Sequence, residues 1–370
     1  MYIYRITCFI LFQLFITNMN SQHKPLEVGV VGLTHTHVHW IFNSDANNKE
    51  FKIVGIVEPD KKLAARYANT YNFSMDLVYN TLEELIQAKK PQAVTAFGTI
   101  YDHLKIVETC APLGIHVMVE KPLAVNLEHA KKMQQLAKQH NIYLITNYET
   151  TWYPTNHKAY EIIKKETVIG GLRKIIVRDG HKGPKKIGVD SEFLEWLTDP
   201  VLNGGGALTD FGCYGANLLT WIMDGQRPIS VTTVTAQQQP ENNPKVEDEA
   251  IIILKYPKTV ALIQASWNWP IGRKDMEVYG LKGVIYADNR NDLRIRIASG
   301  YDDFTEEKIN LPERTKPYHD PFVYLSAMIN GSIQPPPYNL SSLENNMIVM
   351  EILDAATKSA KTNQTVFLKK

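Results

Sequence analysis

The chain has 370 residues, 44% of them hydrophobic, and its 40 Lys+Arg against 39 Asp+Glu give a formal net charge of +1. That length points to two domains of ~100 to 200 residues with a sizeable core. No basic run stands out, which sets aside the phosphate-neutralising surface that nucleic-acid binding requires.

Residues 1–23 carry Arg5, then an apolar run from Ile6 to Ile16 broken by Gln13, then a polar exit. This reads as a secretory signal. The run falls short of the ~20 apolar residues of a spanning helix. There is no twin-arginine pair, and no clear small-x-small cleavage site, so an uncleaved signal stays open. The expected location is the bacterial periplasm. Cys8 lies inside the apolar run. Cys110 and Cys213 can form at most one disulfide and read as buried small residues. No later run is long enough to cross a bilayer.

Residues 24–150 alternate short apolar runs (VGVVG, FKIVGIVE, AVTAF, HVMVE, IYLITN) with polar, helix-favouring stretches. Strands apolar throughout are covered on both faces, so the expected fold is α/β, a doubly wound parallel sheet of the Rossmann type. The first turn, GLTHTHVHW, departs from the G-x-G-x-x-G fingerprint: Gly32 takes the first place, Thr34 and His37 the second and third. Either the Thr34 and Thr36 hydroxyls with helix amides replace the glycine contacts to an anion, or Thr34 and His37 close the pyrophosphate site. His35 and His39 have the i, i+4 spacing that can hold zinc on a helix. No H-E-x-x-H pattern or cysteine partner accompanies them, so no metal is expected. Glu58 ends the second strand a little beyond the ~20-residue offset of a ribose-binding acid. It can hold the adenosine ribose, cap the helix after Pro59, or both. An acid there repels a ribose phosphate, favouring NAD over NADP.

Residues 151–370 start with a helix (155–165) and continue through alternating segments: LRKIIVRDG, ISVTTVTAQQQ, EAIIILKY, VALIQASWNW, MEVYGLKGVIYAD and LRIRIAS. Period-two alternation predicts an α+β domain with a large antiparallel sheet, one face packed and one open. An open face of this kind suits a homo-oligomer interface. After Pro335-Pro336-Pro337 comes a helix over 341–361, capped by Ser341 or Ser342.

Lys121 follows a buried strand at the carboxyl edge of the first sheet, where open α/β sheets bind ligands. Its ammonium there can hold a hydroxyl and stabilise an alkoxide, with burial lowering its pKa, or it can simply reach solvent. Gly204-Gly205-Gly206 open a helix on which Asp210, Tyr214 and Asn217 fall at i, i+4 and i+7, one polar face suited to a substrate cleft.

Four stretches, VGVVGLTHTHVHW, GTIYDHL with His103, VMVEKPLA with Glu120-Lys121-Pro122, and NGGGALTDFGCYGANLLTW with Asp210 and Tyr214, together resemble the glucose-fructose oxidoreductase, inositol dehydrogenase and rhizopine-catabolism (Gfo/Idh/MocA) family. The resemblance covers essentially the whole chain after residue 23. It implies an NAD-dependent oxidoreductase acting on a sugar or glycoside hydroxyl. Tyr214, at a place often held by histidine, is then the acid/base, made able to act at neutral pH by Lys121, and Asp210 orients the substrate or the lysine. Gly32, Thr34, His35, Thr36, His37, Glu58, His103, Glu120 and Pro122 line the cofactor pocket. Trp152, Tyr153 and His181 line a sugar site or pack in the core. An exported member would hold its cofactor tightly and recycle it within one catalytic cycle. The alternative is a non-redox carbohydrate-binding protein, or a metal-assisted glycoside lyase, on a degenerate dinucleotide fold.

Overall fold

A computed structural model describes residues 24–45, 49–165 and 167–368, so the expected signal at 1–23 lies outside the described residues. Both expected sheets are present. The first contains β1 (Leu26–Val31), β2 (Phe51–Val57), β3 (Val78–Tyr79), β4 (Ala93–Ala96), β5 (His116–Glu120) and β6 (Leu144–Asn147). All are parallel in the order β3-β2-β1-β4-β5-β6. The order reverses between β1 and β4, and the crevice outside their carboxyl ends is where such sheets take a ligand. Gly32, with φ +83, makes the turn after β1, and a Cβ on it would lie 2.7 Å from the Gly98 amide after β4. Only glycine permits that approach.

The crossovers are α1 (Val38–Asp45), α2 (Lys61–Tyr71), α3 (Leu82–Lys89), α4 (His103–Cys110) and α5 (Leu127–Gln139). Thr81 and Asn126 cap α3 and α5 through their side chains. The cap of α2 is Asp60, which accepts from the amides of Lys62 and Leu63. Glu58 is therefore not the helix cap. One of its oxygens accepts the Asp60 amide at 2.9 Å and the other accepts Leu33 in the glycine turn at 3.1 Å.

The second sheet follows α6 (Pro154–Lys164). Its strands are β7 (Leu172–Gly180), β8 (Ser230–Ala236), β9 (Glu249–Lys255), β10 (Val260–Ser266), β11 (Arg273–Gly280), β12 (Gly283–Ala287), β13 (Asp292–Ala298), β14 (Phe304–Asn310) and β15 (Val366–Phe367). They run in the order β14-β13-β12-β11-β7-β10-β9-β8-β15, antiparallel except for β10 against β7. Between β7 and β8 lie α7 (Pro184–Ile187), α8 (Ser191–Leu197), α9 (Ala207–Asp210) and α10 (Gly212–Ile222). Then α11 (Pro321–Ile329) and α12 (Leu343–Thr362) follow the sheet. Ser342, not Ser341, caps α12. The segment MEVYGLKGVIYAD is a hairpin of two strands, and the polar β14 and the short α11 have no counterpart in the sequence expectations.

On β9, Ala250, Ile252 and Leu254 are buried while Ile251 and Ile253 face out. The covered face carries α10 and α12, and α12 also packs on α5 and β6, so one helix ties the two sheets together. A single apolar cluster accordingly runs from Val117 and Val119 through Met350 to Ile252. No helix among the described residues is long and apolar enough to cross a membrane. Cys110 and Cys213 are both buried and free.

Candidate active site

The glycines before α9 set the depth of Asp210. A Cβ on Gly206 would lie 1.9 Å from the Glu247 carbonyl oxygen, so only glycine lets the chain pass there. The Glu247 carboxylate then accepts the amides of Gly206 at 2.9 Å and Leu208 at 3.1 Å, capping α9 from another part of the chain. Asp210 thereby meets Lys121, which follows β5. The ammonium donates to one carboxylate oxygen of Asp210 and, at 3.2 Å, to its carbonyl. The Trp267 indole N–H donates to the other carboxylate oxygen at 2.9 Å.

Both partners are buried, Lys121 at 5% exposure. Burial pushes the Lys121 pKa down, but the Asp210 carboxylate and its neighbours carry the net shift upward. For Asp210 burial raises and Lys121 lowers, with a net fall. The two directions agree on a buried ion pair, which corrects the expectation of a lysine with a lowered pKa.

Tyr214 is 1% exposed, with the Lys121 Nζ 5.3 Å from its ring centroid, Lys274 Nζ at 5.4 Å and Tyr148 edge-on at 5.4 Å. Cations at these distances favour the ring's π face. They do not offset burial, which together with Glu149 and Cys213 drives the phenol well above its ordinary 10. The expected lowering by Lys121 is not found. The Lys274 ammonium is bound to Glu149, which also accepts the Tyr153 hydroxyl at 2.5 Å. Lys274 and Tyr153 line a pocket of about 570 Å³ together with His181, Phe211, Tyr286 and Arg290, and Tyr214 lies behind Lys274 and Phe211. His181 accepts the Gly183 amide on Nδ1 at 3.0 Å, and burial lowers its pKa to about 4, so it is neutral with its proton on Nε2. Asp179, 1% exposed on β7 opposite Lys274, has no partner for either oxygen among the described residues.

Two expected substrate residues face elsewhere. Asn217 is fully buried and donates to the Leu340 carbonyl at 2.7 Å, because the helix breaks at Phe211 and α10 turns this residue toward α12. Trp152 donates its indole N–H to Asn147 at 3.0 Å, which holds it against β6 and out of the pocket beside Tyr214.

In the altered turn, the amides of Leu33, His35 and His37 are committed to Glu58, the Phe97 carbonyl and His35 Nδ1. The hydroxyls of Thr34 and Thr36 are buried without a partner among the described residues. Two orphaned hydroxyls at the positive end of α1 match the oxygens of a pyrophosphate. His37 stacks on Trp40 at 3.8 Å and binds Glu120 through Nδ1 at 2.8 Å, while Asn147 donates to the other Glu120 oxygen at 2.7 Å.

His35 lies under Phe193 and Trp196 of α8, with ring centroids 4.7 and 5.6 Å away. Ligand-type atoms of His35, His37 and Glu120 fall within 4.8 Å of one another, and hydrogen bonds engage His35 Nδ1, His37 Nδ1 and both Glu120 oxygens. His39, the expected i, i+4 partner of His35, instead bonds to the Tyr71 hydroxyl. His103 is buried, with Nδ1 3.1 Å from the Leu123 carbonyl oxygen and a pKa lowered by burial to about 4. Pro122 follows Lys121 in a cis linkage.

Trp267, Glu247, Lys274, Glu149 and Asp179 carry no signal of their own in the sequence. The pairing of β7, β10 and β11 brings Asp179, Trp267 and Lys274 together, while Glu149 arrives from the end of β6 through its ion pair with Lys274 and Glu247 from the segment before β9.

The fold is a dinucleotide-binding Rossmann sheet followed by an α+β unit with a large, mostly antiparallel sheet. A model described as an oxidoreductase family with an NAD-binding Rossmann fold matches residues 26–148, and the GFO/IDH/MocA C-terminal domain matches 157–286, together more than half of the chain. The chain belongs to the Gfo/Idh/MocA family. A trans-1,2-dihydrobenzene-1,2-diol dehydrogenase of Xenopus tropicalis is 26% identical over 275 residues, 72% of this chain and 76% of that one. An inositol dehydrogenase homologue from Azotobacter vinelandii complexed with NAD+ superposes with a TM-score of 0.79 at 17% identity, covering 94% of this chain and 98% of that one. An aldose-aldose oxidoreductase from Caulobacter crescentus complexed with glycerol gives 0.77 at 20% identity, covering 93% and 100%. The two structural likenesses establish the fold.

Proposed function

We propose that this chain moves hydride between NAD and a secondary hydroxyl of a sugar, glycoside or related cyclic polyol. The observation that carries the reading is the buried Lys121–Asp210 pair beside Tyr214, at the carboxyl edge of a sheet whose first turn offers two orphaned hydroxyls. NAD, when bound, supplies the hydride acceptor. Thr34 and Thr36 would hold its pyrophosphate and Glu58 its ribose, where a carboxylate disfavours the phosphate of NADP.

The remaining chemistry is the chain's own. Lys121, kept charged and aimed by Asp210, holds the reacting oxygen and offsets the negative charge that develops there. Tyr214 exchanges the proton of that oxygen, and the neutral His181 donates from Nε2 to a second hydroxyl. Lys121 and Tyr214 both rest in their protonated forms, so the site is loaded to protonate an alkoxide. Oxidation needs one of those protons to leave first.

Lys121→Ala and Tyr214→Phe should each abolish NAD-coupled oxidation across a panel of sugars, glycosides and cyclitols, read by reduced-nicotinamide absorbance. Full turnover in either variant would refute these roles. A sugar titration with and without NAD separates this reading from a binding protein. A tightly held, recycled cofactor suits an exported enzyme, and residues 1–23 would be its signal. Expression with that segment should deliver the chain to a bacterial periplasm, where its first residue can be read. The outward Val234, Ile251, Ile253 and Val260 make the open sheet face the natural contact between two copies.

A further inference from the structure

Arg314 carries five N–H donors and forms no hydrogen bond or ion pair with any described residue. Burial lowers its pKa, against the raising effect of Tyr318 and Tyr324. The acid on the pocket wall, Glu161, and the acids near Arg314 in the chain, Glu313 and Asp320, are committed elsewhere. Glu313, its chain neighbour, takes a two-pronged bond from Arg290 at 2.7 and 2.6 Å. Glu161 pairs with Lys158 at 3.2 Å, and Asp320 caps α11. His157, facing the same space, is held neutral with a pKa lowered by burial to about 4. The guanidinium is left as the uncompensated charge of a pocket.

That pocket has a volume of about 680 Å³, within the range of small-molecule sites. Much of its wall is aromatic or proline, with Lys158, Glu161 and Asn339 among the polar groups that complete it. Tyr160 stacks on Trp221 at 4.2 Å and 10°, Tyr318 and Tyr324 form a second aromatic pair at 6.0 Å, and Pro335-Pro336-Pro337 also line the space. Arg314 sits 5.0 Å from the Tyr318 ring centroid. Trp152 also lines this space, with its indole N–H bonded to Asn147 of β6, and no residue of this lining borders the pocket beside Tyr214. The pocket is therefore distinct from the one beside Tyr214.

We infer that this pocket is a second ligand site, which takes a carboxylate carried on a six-membered ring. Guanidinium and carboxylate match in a planar fork, and aromatic faces accept either an aromatic ring or the C–H face of a sugar. A sugar acid and an aromatic acid share that chemistry. The inference stands apart from the oxidoreductase reading, since its test needs no turnover.

The full chain would be titrated with sodium D-glucuronate and sodium benzoate, and with the neutral D-glucose and benzyl alcohol, following tryptophan fluorescence, heat and thermal unfolding. One carboxylate should saturate and raise Tm, its neutral counterpart should not, and the one that saturates tells sugar acid from aromatic acid. Arg314→Gln should weaken that binding about tenfold or more, the worth of a charged hydrogen bond. Arg314→Lys should fall between. Because the guanidinium has no partner to leave stranded, Arg314→Gln should fold with an unchanged or higher Tm. Failure of both carboxylates to saturate, equal binding of the neutral compounds, or wild-type affinity in Arg314→Gln would overturn the inference.

Discussion

Lys121 and Asp210 are stable in the interior only as a pair. Removing the lysine strands a carboxylate with one indole N–H for company, and a buried charge left this way costs about 3–5 kcal/mol. Lys121→Ala should therefore lose stability as well as turnover, while Lys121→Ala with Asp210→Ala should recover much of the stability and none of the activity. Urea unfolding beside an activity assay reads both. The pH profile follows from the same residues: with the pKa values of Lys121 and Tyr214 both raised, the oxidation rate should keep climbing above pH 8, and a flat profile from pH 6 would contradict it. The residues of the pair stand in the sequence within recognisable stretches, and so does Tyr214. Their ionisation does not, because it depends first on burial and on the pairing of Lys121 with Asp210, and then on groups such as Trp267 and Glu149 brought in by segments far apart in the chain.

Among the elements, the four residues of α9 decide where Asp210 points. Gly206→Ala would drive a methyl into the Glu247 carbonyl oxygen and push α9 away from Lys121. The expected cost is about 1–3 kcal/mol of stability, with a larger fractional loss of activity, and Glu247→Gln should reproduce part of both. Read as one helix, this stretch has Asp210, Tyr214 and Asn217 on a single face. The break at Phe211 rotates Asn217 into contact with Leu340 and α12, and nothing local marks that break. Most strands are legible, since their alternation reports one covered face. The charged β14, FTEEKIN, lies exposed at the sheet edge and lacks the apolar face that gives the others away.

At the scale of the molecule, His103, His157 and His181 are held neutral, each with a pKa lowered to about 4 from the ordinary 6.5. The unfolded chain binds these protons at higher pH than the folded one does. Stability should thus be lost as pH falls from about 6.5 to about 4 and be regained on return, visible as a falling Tm. The open face of the nine-stranded sheet should hold two copies together, and Ile251→Glu with Ile253→Glu should halve the particle mass by light scattering while leaving the monomer folded. The central claim is that the Thr34/Thr36 turn still holds a dinucleotide. The most direct measurement takes protein purified without added cofactor, denatures it, and assays the supernatant for nicotinamide dinucleotide by absorbance and mass, with a titration of added NAD alongside. NAD released from the native protein, or saturable binding that Thr34→Val with Thr36→Val abolishes, is the expected result. An empty supernatant together with no binding of added NAD would contradict the account.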